Sequence, residues 1–335
     1  MRILTGDIGG TKTWLQLAEV QQGQTVRQHQ RRYASAAYPH LLPMLQTFLT
    51  EAPTELTAAP IVACFAIAGP IQGQSAKVTN LPWQLDGQQL QTALGLSAVR
   101  FINDFAAIGY ALTGLAENDW VSLQTGQPIA DAPQAVIGAG TGLGHCIVIG
   151  THNGPQVLAA EAGHTPFAPV NDLQLELLLY LRRQRGQAWV SYEQVVSGPG
   201  LATLYQFLTA SRRGNPNPAL QQALTQTDPA AAIGTAALQE DPVALAAVDL
   251  LIEIYGQQAA NLALTSLAQG GIYIAGGIAP KLLSRFQAGG FVRAFNANPT
   301  MGHLLQQIPV KLITHPQVGL VGAGWVAQQL TATPN

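Results

Sequence analysis

The chain has 335 residues, 47% of them hydrophobic and 10% charged, against about 25% charged in an average soluble domain, and roughly 150 residues per domain suggests two domains. Its 18 acids and 16 Lys or Arg leave a formal net charge of −2, which excludes a broad cationic face for nucleic acid, while the apolar content excludes a disordered chain. No membrane span is expected, since the best apolar stretch, residues 135–150, is broken by five glycines and His145, and Cys64 and Cys146 with no signal-like start suggest a reduced, cytoplasmic protein.

In chain order, residues 2–5 read as a short strand and 13–20 as a second, with a glycine turn between them. Residues 61–68 form a continuous apolar run, the length of a buried strand. Residues 99–103 suit a strand and 105–115 a helix. Residues 135–137 and 145–149 flank a second glycine turn, and 272–275 and 310–314 complete the strands. Helical patterns cover 173–183, 200–210, 243–267 and 320–330, with low-charge surface helices across 218–239. Segments 50–60 and 212–218 are rich in Pro, Asn or Thr and read as surface loops. This alternation predicts an α/β fold.

Two short segments share one plan. Gly6-Asp7-Ile8-Gly9-Gly10-Thr11-Lys12-Thr13 is a strand, a glycine turn and a second strand, and Gly138-Ala139-Gly140-Thr141-Gly142-Leu143-Gly144 repeats it. Glycines let backbone N–H groups approach an anion without obstruction. A Walker A loop is excluded because Thr11 stands where glycine must precede the lysine, and a strand follows where a helix is required. A dinucleotide fingerprint from Gly140 fails at His145. Two matching loops, one carrying Asp7 and Lys12, favour phosphate binding over plain hairpin turns. A third glycine site, Gly276-Gly277, ends the strand at 272–275 and precedes a helix at 280–286.

Polar residues cluster at other element ends. Asp104 after Asn103 reads either as a helix N-cap or as a general base at a strand terminus. Glu161 and His164 are three apart, with no third ligand that would make a zinc site. Glu193 lies inside Ser191-Tyr192-Glu193-Gln194, a capping-box pattern. Asn80, two residues before Pro82, is a turn residue or a further contact. Together these groups suit a neutral, hydroxyl-rich ligand, because carboxylates accept from hydroxyls while Asn and His donate or accept.

Six segments in order, Asp7 to Lys12, Phe101 to Phe105, Gly138 to Gly144, Glu161 to His164, Ser197 to Leu201 and Ala275 to Ile278, resemble the bacterial glucokinases of the actin-like, hexokinase-type ATPase superfamily. The resemblance runs from about residue 3 to the helix after Gly319. It implies a two-domain actin-like (ribonuclease H-like) fold with an interdomain active-site cleft. The implied domains are residues 1–113, rejoined by a C-terminal helix in 316–335, and residues 114–315. Asp7 would serve Mg²⁺ through water, and Gly9, Gly10, Thr11 and Lys12 the phosphates of ATP. Thr141 and Gly142 would hold the β and γ phosphates, with Gly276 and Gly277 beside the adenosine. Asn80, Asn103, Glu161, His164 and Glu193 would contact glucose, and Asp104 would be the catalytic base.

The related repressor, open-reading-frame and kinase family often carries a cysteine-rich zinc motif after its Glu-x-x-His; two cysteines cannot supply it, so the non-zinc branch is the match and no zinc is expected. The expected reaction is ATP-dependent phosphorylation of glucose, with glucose and ATP as partners and neither nucleic acid nor membrane. A homodimer is a further expectation. The competing readings are a kinase of another hexose or amino sugar on the same fold, and a non-catalytic sugar-sensing regulator.

Overall fold

The computed structural model describes residues 1–57, 61–211 and 213–332. Two units emerge from its internal contacts. The first comprises Met1–Glu117, the short stretch Pro155–Ala159 and the chain from His315 onward; the second comprises Asn118–Gly154 and Ala160–Thr314.

The first unit is built on Arg2–Ile8, which pairs antiparallel with Lys12–Gln21 and parallel with Ile61–Ile67. Ala98–Asn103 extends the parallel side, and Gln24–Ala34 closes the antiparallel side. All seven residues of Ile61–Ile67 are buried, as expected of a central parallel strand covered on both faces. The edge strand Gln24–Ala34 has no apolar alternation in QTVRQHQRRYA, so periodicity does not reveal it. Arg27, Arg31 and Arg32 suit an edge that must resist pairing with another chain.

In the second unit Gln134–Ala139 pairs antiparallel with Leu143–Thr151 and parallel with Gly271–Ala275, which pairs parallel with Val310–Ile313. Trp120–Gln124 lies antiparallel beyond Val310–Ile313. Each unit therefore repeats one plan: a strand, a tight hairpin to an antiparallel neighbour, and two further parallel strands on the other side. The echo between the two glycine loops extends to whole sheets.

The expected loop at 50–60 is partly helical. Leu41, Met44, Leu45 and Phe48 are buried on one face of the helix Leu41–Glu51, and Thr54–Thr57 adds another turn. That 3.6-residue apolar spacing outweighs the Thr and Pro that suggested a loop. Residues 58–60 and Arg212, which belong to the two expected loops, lie outside the described residues. Residues 218–239 form the helices Pro218–Gln226 and Pro229–Leu238, and the second buries Ile233, Gly234 and Ala237 instead of lying wholly on the surface.

Among the described residues the long apolar helix is Pro242–Ser266, outside residues 135–150. It has the length and composition to cross a membrane, yet 78% of its most apolar window is buried inside the fold. Its apolar residues pack into the core, while Asp249 stays exposed and pairs with Arg285. Asp241 caps it by accepting from the Ala244 N–H at 2.9 Å.

The C-terminal helix Val318–Ala332 packs in the first unit, where Ala323, Val326 and Ala327 share a core with Ile3, Val62, Cys64 and Ala107. Trp325 stacks on Tyr110 of the helix Asp104–Ala111, with ring centroids 5.2 Å apart. Gly322 lets the two backbones touch, because a Cβ there would strike the Ala107 carbonyl. Overpacking of this kind costs about 1–3 kcal/mol. Gly322→Val is therefore expected to lower the thermal unfolding midpoint clearly, and an unchanged midpoint would contradict the close approach.

Candidate functional site

The candidate residues of the first unit gather at the carboxyl edge of its parallel strands. Asp7 and Ile8 end the first strand, Ile67 ends the second, and Asn103, opposite Ile67, ends the third. Ligands of open α/β sheets bind at this edge, where loops leave the strands.

Gly9, Gly10 and Thr11 link the hairpin, whose last pair is Ile8 and Thr13. The Gly9 N–H donates to the Lys12 carbonyl at 3.1 Å. Ser35 clamps the loop from behind: its hydroxyl donates to the Gly9 carbonyl at 2.7 Å and its N–H to the Thr11 carbonyl at 3.1 Å. Thr13 Oγ1 lies 3.0 Å from Ser35 Oγ, and both residues are fully buried. Because C=O and N–H point oppositely across a trans peptide, holding the Gly9 carbonyl turns the Gly10 N–H away from Ser35. No sequence pattern marks Ser35.

Gly10 packs against the Thr79-Asn80 turn, where an added Cβ would lie 2.7 Å from the Thr79 carbonyl. Asn80 is exposed beside the loop and holds a left-handed φ of 64°, a conformation Asn tolerates better than most residues. Asp7 is partly buried against the C-terminal helix, where a Cβ on Gly319 would sit 2.8 Å from its Oδ2. Burial raises the Asp7 carboxyl above its ordinary range, and the Lys12 charge opposes that rise.

The capping account of Asp104 is corrected. Asn103 is the N-cap: its Oδ1 accepts from the N–H groups of Phe105 at 3.0 Å and Ala106 at 3.1 Å. Asp104 is instead the first helical residue, and its Oδ1 also accepts from Phe105 N–H, at 2.9 Å.

The second unit places its own candidates at the corresponding edge. Gly140, Thr141 and Gly142 turn between Ala139 and Leu143, and the Gly140 N–H donates to the Gly142 carbonyl at 2.8 Å. Gly276, with φ 83°, lies so near that a Cβ would strike the Ala139 carbonyl, and the Ile278 N–H reaches that carbonyl at 3.3 Å. The expected helix at 280–286 is a 3₁₀ turn, Pro280–Leu282, followed by the short helix Leu283–Gln287. A cavity of about 860 Å³ opens beside these loops, lined in part by Gly140, Thr141, Thr203, Asp228, Gly277 and Lys281. Thr203, Asp228 and Lys281 carry no sequence signal that distinguishes them from ordinary surface residues.

Glu161, His164 and Glu193 form a chain. His164 Nε2 lies 3.8 Å from Glu161 Oε2, and its Nδ1 lies 3.8 Å from Glu193 Oε1. These separations exceed hydrogen-bonding distance, so the imidazole and carboxylates can take ligand hydroxyls without first breaking direct bonds to one another. The capping box at Ser191 and Gln194 is formed, around the three-residue 3₁₀ turn Tyr192–Gln194. Glu193 does more than occupy that turn: its Oε2 accepts from the Leu143 N–H at 2.9 Å.

The long helix Pro242–Ser266 steadies this region through Tyr255, Gln258 and Asn261, spaced three apart along one side. The Tyr255 hydroxyl accepts from Ala139 N–H at 3.0 Å and donates to the Ile137 carbonyl at 3.1 Å. Gln258 donates to the Ala162 carbonyl at 3.3 Å, and Asn261 to the Tyr192 hydroxyl at 3.1 Å.

The structure thus gathers Asp7, the first glycine loop and Asn80, with Asn103 and Asp104 along the same sheet edge. In the other unit it gathers the second glycine loop, Gly276, Gly277, Glu193, His164 and Glu161.

A family model described as Glucokinase matches residues 4–330. A glucokinase of Nostoc punctiforme is 45% identical over 341 aligned positions, covering 98% of this chain and 99% of its own. The crystal structure of a glucokinase from an Antarctic psychrotroph superposes with a TM-score of 0.83 at 32% identity, covering 98% of this chain and 99% of that one. A glucokinase of the ROK family from Streptomyces griseus, solved with glucose and AMPPNP, shares the fold at a TM-score of 0.65 and 20% identity, over 98% of this chain and all of its own.

Losing the Ser35 hydroxyl should cost about 1–2 kcal/mol of local stability. Ser35→Ala is therefore expected to raise amide hydrogen exchange across Gly9–Lys12 about 5- to 30-fold; wild-type protection there would exclude the clamp.

Proposed function

The chain belongs to the glucokinase family, with the two-domain actin-like kinase fold, and we propose that Asp104 is the general base of its reaction. That reaction is the transfer of the γ-phosphoryl group of ATP to glucose, giving glucose 6-phosphate and ADP. Phosphoryl transfer runs through a loose transition state, so positioning and charge stabilisation matter more than covalent help.

One observation carries the reading. In each unit the carboxyl edge of the parallel strands bears a glycine hairpin loop with acidic or amide side chains near it. Asp104, at the end of such a strand, accepts the proton of the glucose 6-hydroxyl as that oxygen attacks phosphorus. Asn103 spends its Oδ1 on the helix N-terminus, which fixes the side chain and leaves its amide N–H groups to donate to the sugar. Asn80, Glu161, His164 and Glu193 supply the remaining sugar contacts, the carboxylates accepting from hydroxyls.

Gly9, Gly10, Thr11 and Lys12 serve the phosphates from the first unit, and Thr141 and Gly142 serve the β and γ phosphates from the second. The cavity beside Gly277 has room for a nucleoside, and Gly276 and Gly277 offer it bare backbone. Among the described residues no group of three or more His, Cys, Asp or Glu could hold a metal ion. Mg²⁺ nonetheless suits Asp7, because it binds kinase sites through one or two carboxylates, waters and the substrate's own phosphates. A carboxyl raised by burial is also a group that a nearby cation would return to its charged form. When bound, Mg²⁺ neutralises charge developing on the phosphate oxygens.

Asp104→Asn keeps the size and the strand-end position while removing the base. It is expected to lower kcat by roughly 10²–10⁴ with glucose affinity retained in calorimetric titration; undiminished turnover in a coupled ADP-release assay would remove Asp104 from that role.

A further inference from the structure

We propose that Glu193 serves both substrates, as a sugar acceptor and as the positioning residue of the nucleotide loop, so that each substrate organises the site of the other. The proposal rests on the assignment of the sugar to Glu161, His164 and Glu193 and of the phosphates to the loop Gly140–Gly142.

The two carboxylate oxygens of Glu193 are committed differently. Oε2 accepts from the Leu143 N–H at 2.9 Å, at the point where the glycine loop re-enters its strand. Oε1 faces His164, 3.8 Å from its Nδ1, on the sugar side. Gly142 lies directly against the loop-side oxygen: an added Cβ would fall 2.5 Å from Oε2. Glycine at 142 thus serves the carboxylate as well as the turn, since any side chain there displaces Glu193. The backbone adds a second tie. The Glu193 carbonyl accepts from the Ser197 hydroxyl at 2.7 Å, and the neighbouring Gly198 N–H donates to the Gly140 carbonyl at 2.8 Å. Glu193 and the loop are therefore joined at both ends, by side chain at Leu143 and by the Ser197-Gly198 turn at Gly140.

Glu161 offers the contrast. It pairs with the other nitrogen of His164 at 3.8 Å, and its side chain is 89% exposed, against 32% for Glu193. Among the described residues no hydrogen bond joins it to the loop. A sugar hydroxyl donating to Glu193 Oε1 fixes the carboxylate, which in turn holds Leu143 and Gly142 in place for the phosphates. Nucleotide then binds a loop already ordered, and linkage requires the reverse effect to be equal.

The experiment is calorimetric titration of AMPPNP with Mg²⁺, without glucose and at saturating glucose, on the wild type and on Glu193→Gln, Gly142→Ala and Glu161→Gln. Glutamine keeps the volume of Glu193 but has one acceptor oxygen, so it cannot use separate oxygens to accept from the Leu143 N–H and from a sugar hydroxyl at once. In the wild type, saturating glucose should tighten AMPPNP by about 5-fold or more. Glu161→Gln should need more glucose to saturate yet retain that ratio. Glu193→Gln and Gly142→Ala should both bring the ratio below about 2-fold, near the point where linkage vanishes, and Gly142→Ala should also weaken AMPPNP without sugar. A wild-type ratio in the Glu193 and Gly142 variants, or a ratio of one in the wild type, overturns the proposal while leaving the site assignment standing. If glucose affinity is unaltered in both Glu161→Gln and Glu193→Gln, the sugar assignment itself fails, and this inference with it.

Discussion

In both halves of this protein a short glycine hairpin sits at the carboxyl edge of parallel strands, packed so closely at Gly10 and Gly142 that an added side chain would meet a neighbour. Gly9-Gly10-Thr11 and Gly140-Thr141-Gly142 each close one antiparallel pair with a backbone hydrogen bond across the turn. These loops are held by backbone contacts and by the polar ends of side chains from other elements. Ser35 supports the first, Tyr255 holds the strand entering the second, and Glu193 holds its exit. The glycines are needed at particular contacts: Gly10 against the Thr79 carbonyl, Gly142 against Glu193, and Gly276 against the Ala139 carbonyl.

The acids near these loops are divided by what their surroundings leave them to do. Asn103 takes over helix capping, so Asp104 is not required for it. Asp7 lies under the first turn of the C-terminal helix, which ties the end of the first strand to that helix through Gly319. The sparse charge of the sequence is consistent with a site in which oriented backbone amides carry much of the anion binding. Few cations are then needed, and Lys12 is the one adjoining the first loop.

The elements that set the fold were largely legible because their patterns are strong. The all-apolar run Ile61–Ile67 could only be buried, and the repeated glycine segments marked both hairpins. What stayed hidden lacks a local pattern. The edge strand Gln24–Ala34 is polar because it faces solvent, and the Thr and Pro near residue 50 masked the end of an amphipathic helix. At the site, residue types and order pointed to the acids and glycines. Ser35 and the Glu193–Leu143 bond are contacts across 26 and 50 residues, which no spacing rule reaches. The choice between Asn103 and Asp104 as helix cap was equally closed to sequence, since either residue type caps well.

The central claim, that the two glycine hairpins hold the nucleotide while the Glu161–His164–Glu193 group holds the sugar, is most directly tested by ligand-dependent amide hydrogen exchange. AMPPNP with Mg²⁺ should slow exchange at Gly9–Lys12 and Gly140–Leu143, and glucose alone should slow it at Glu161–His164 and Tyr192–Gln194. Protection by AMPPNP that bypasses both hairpins would contradict the account.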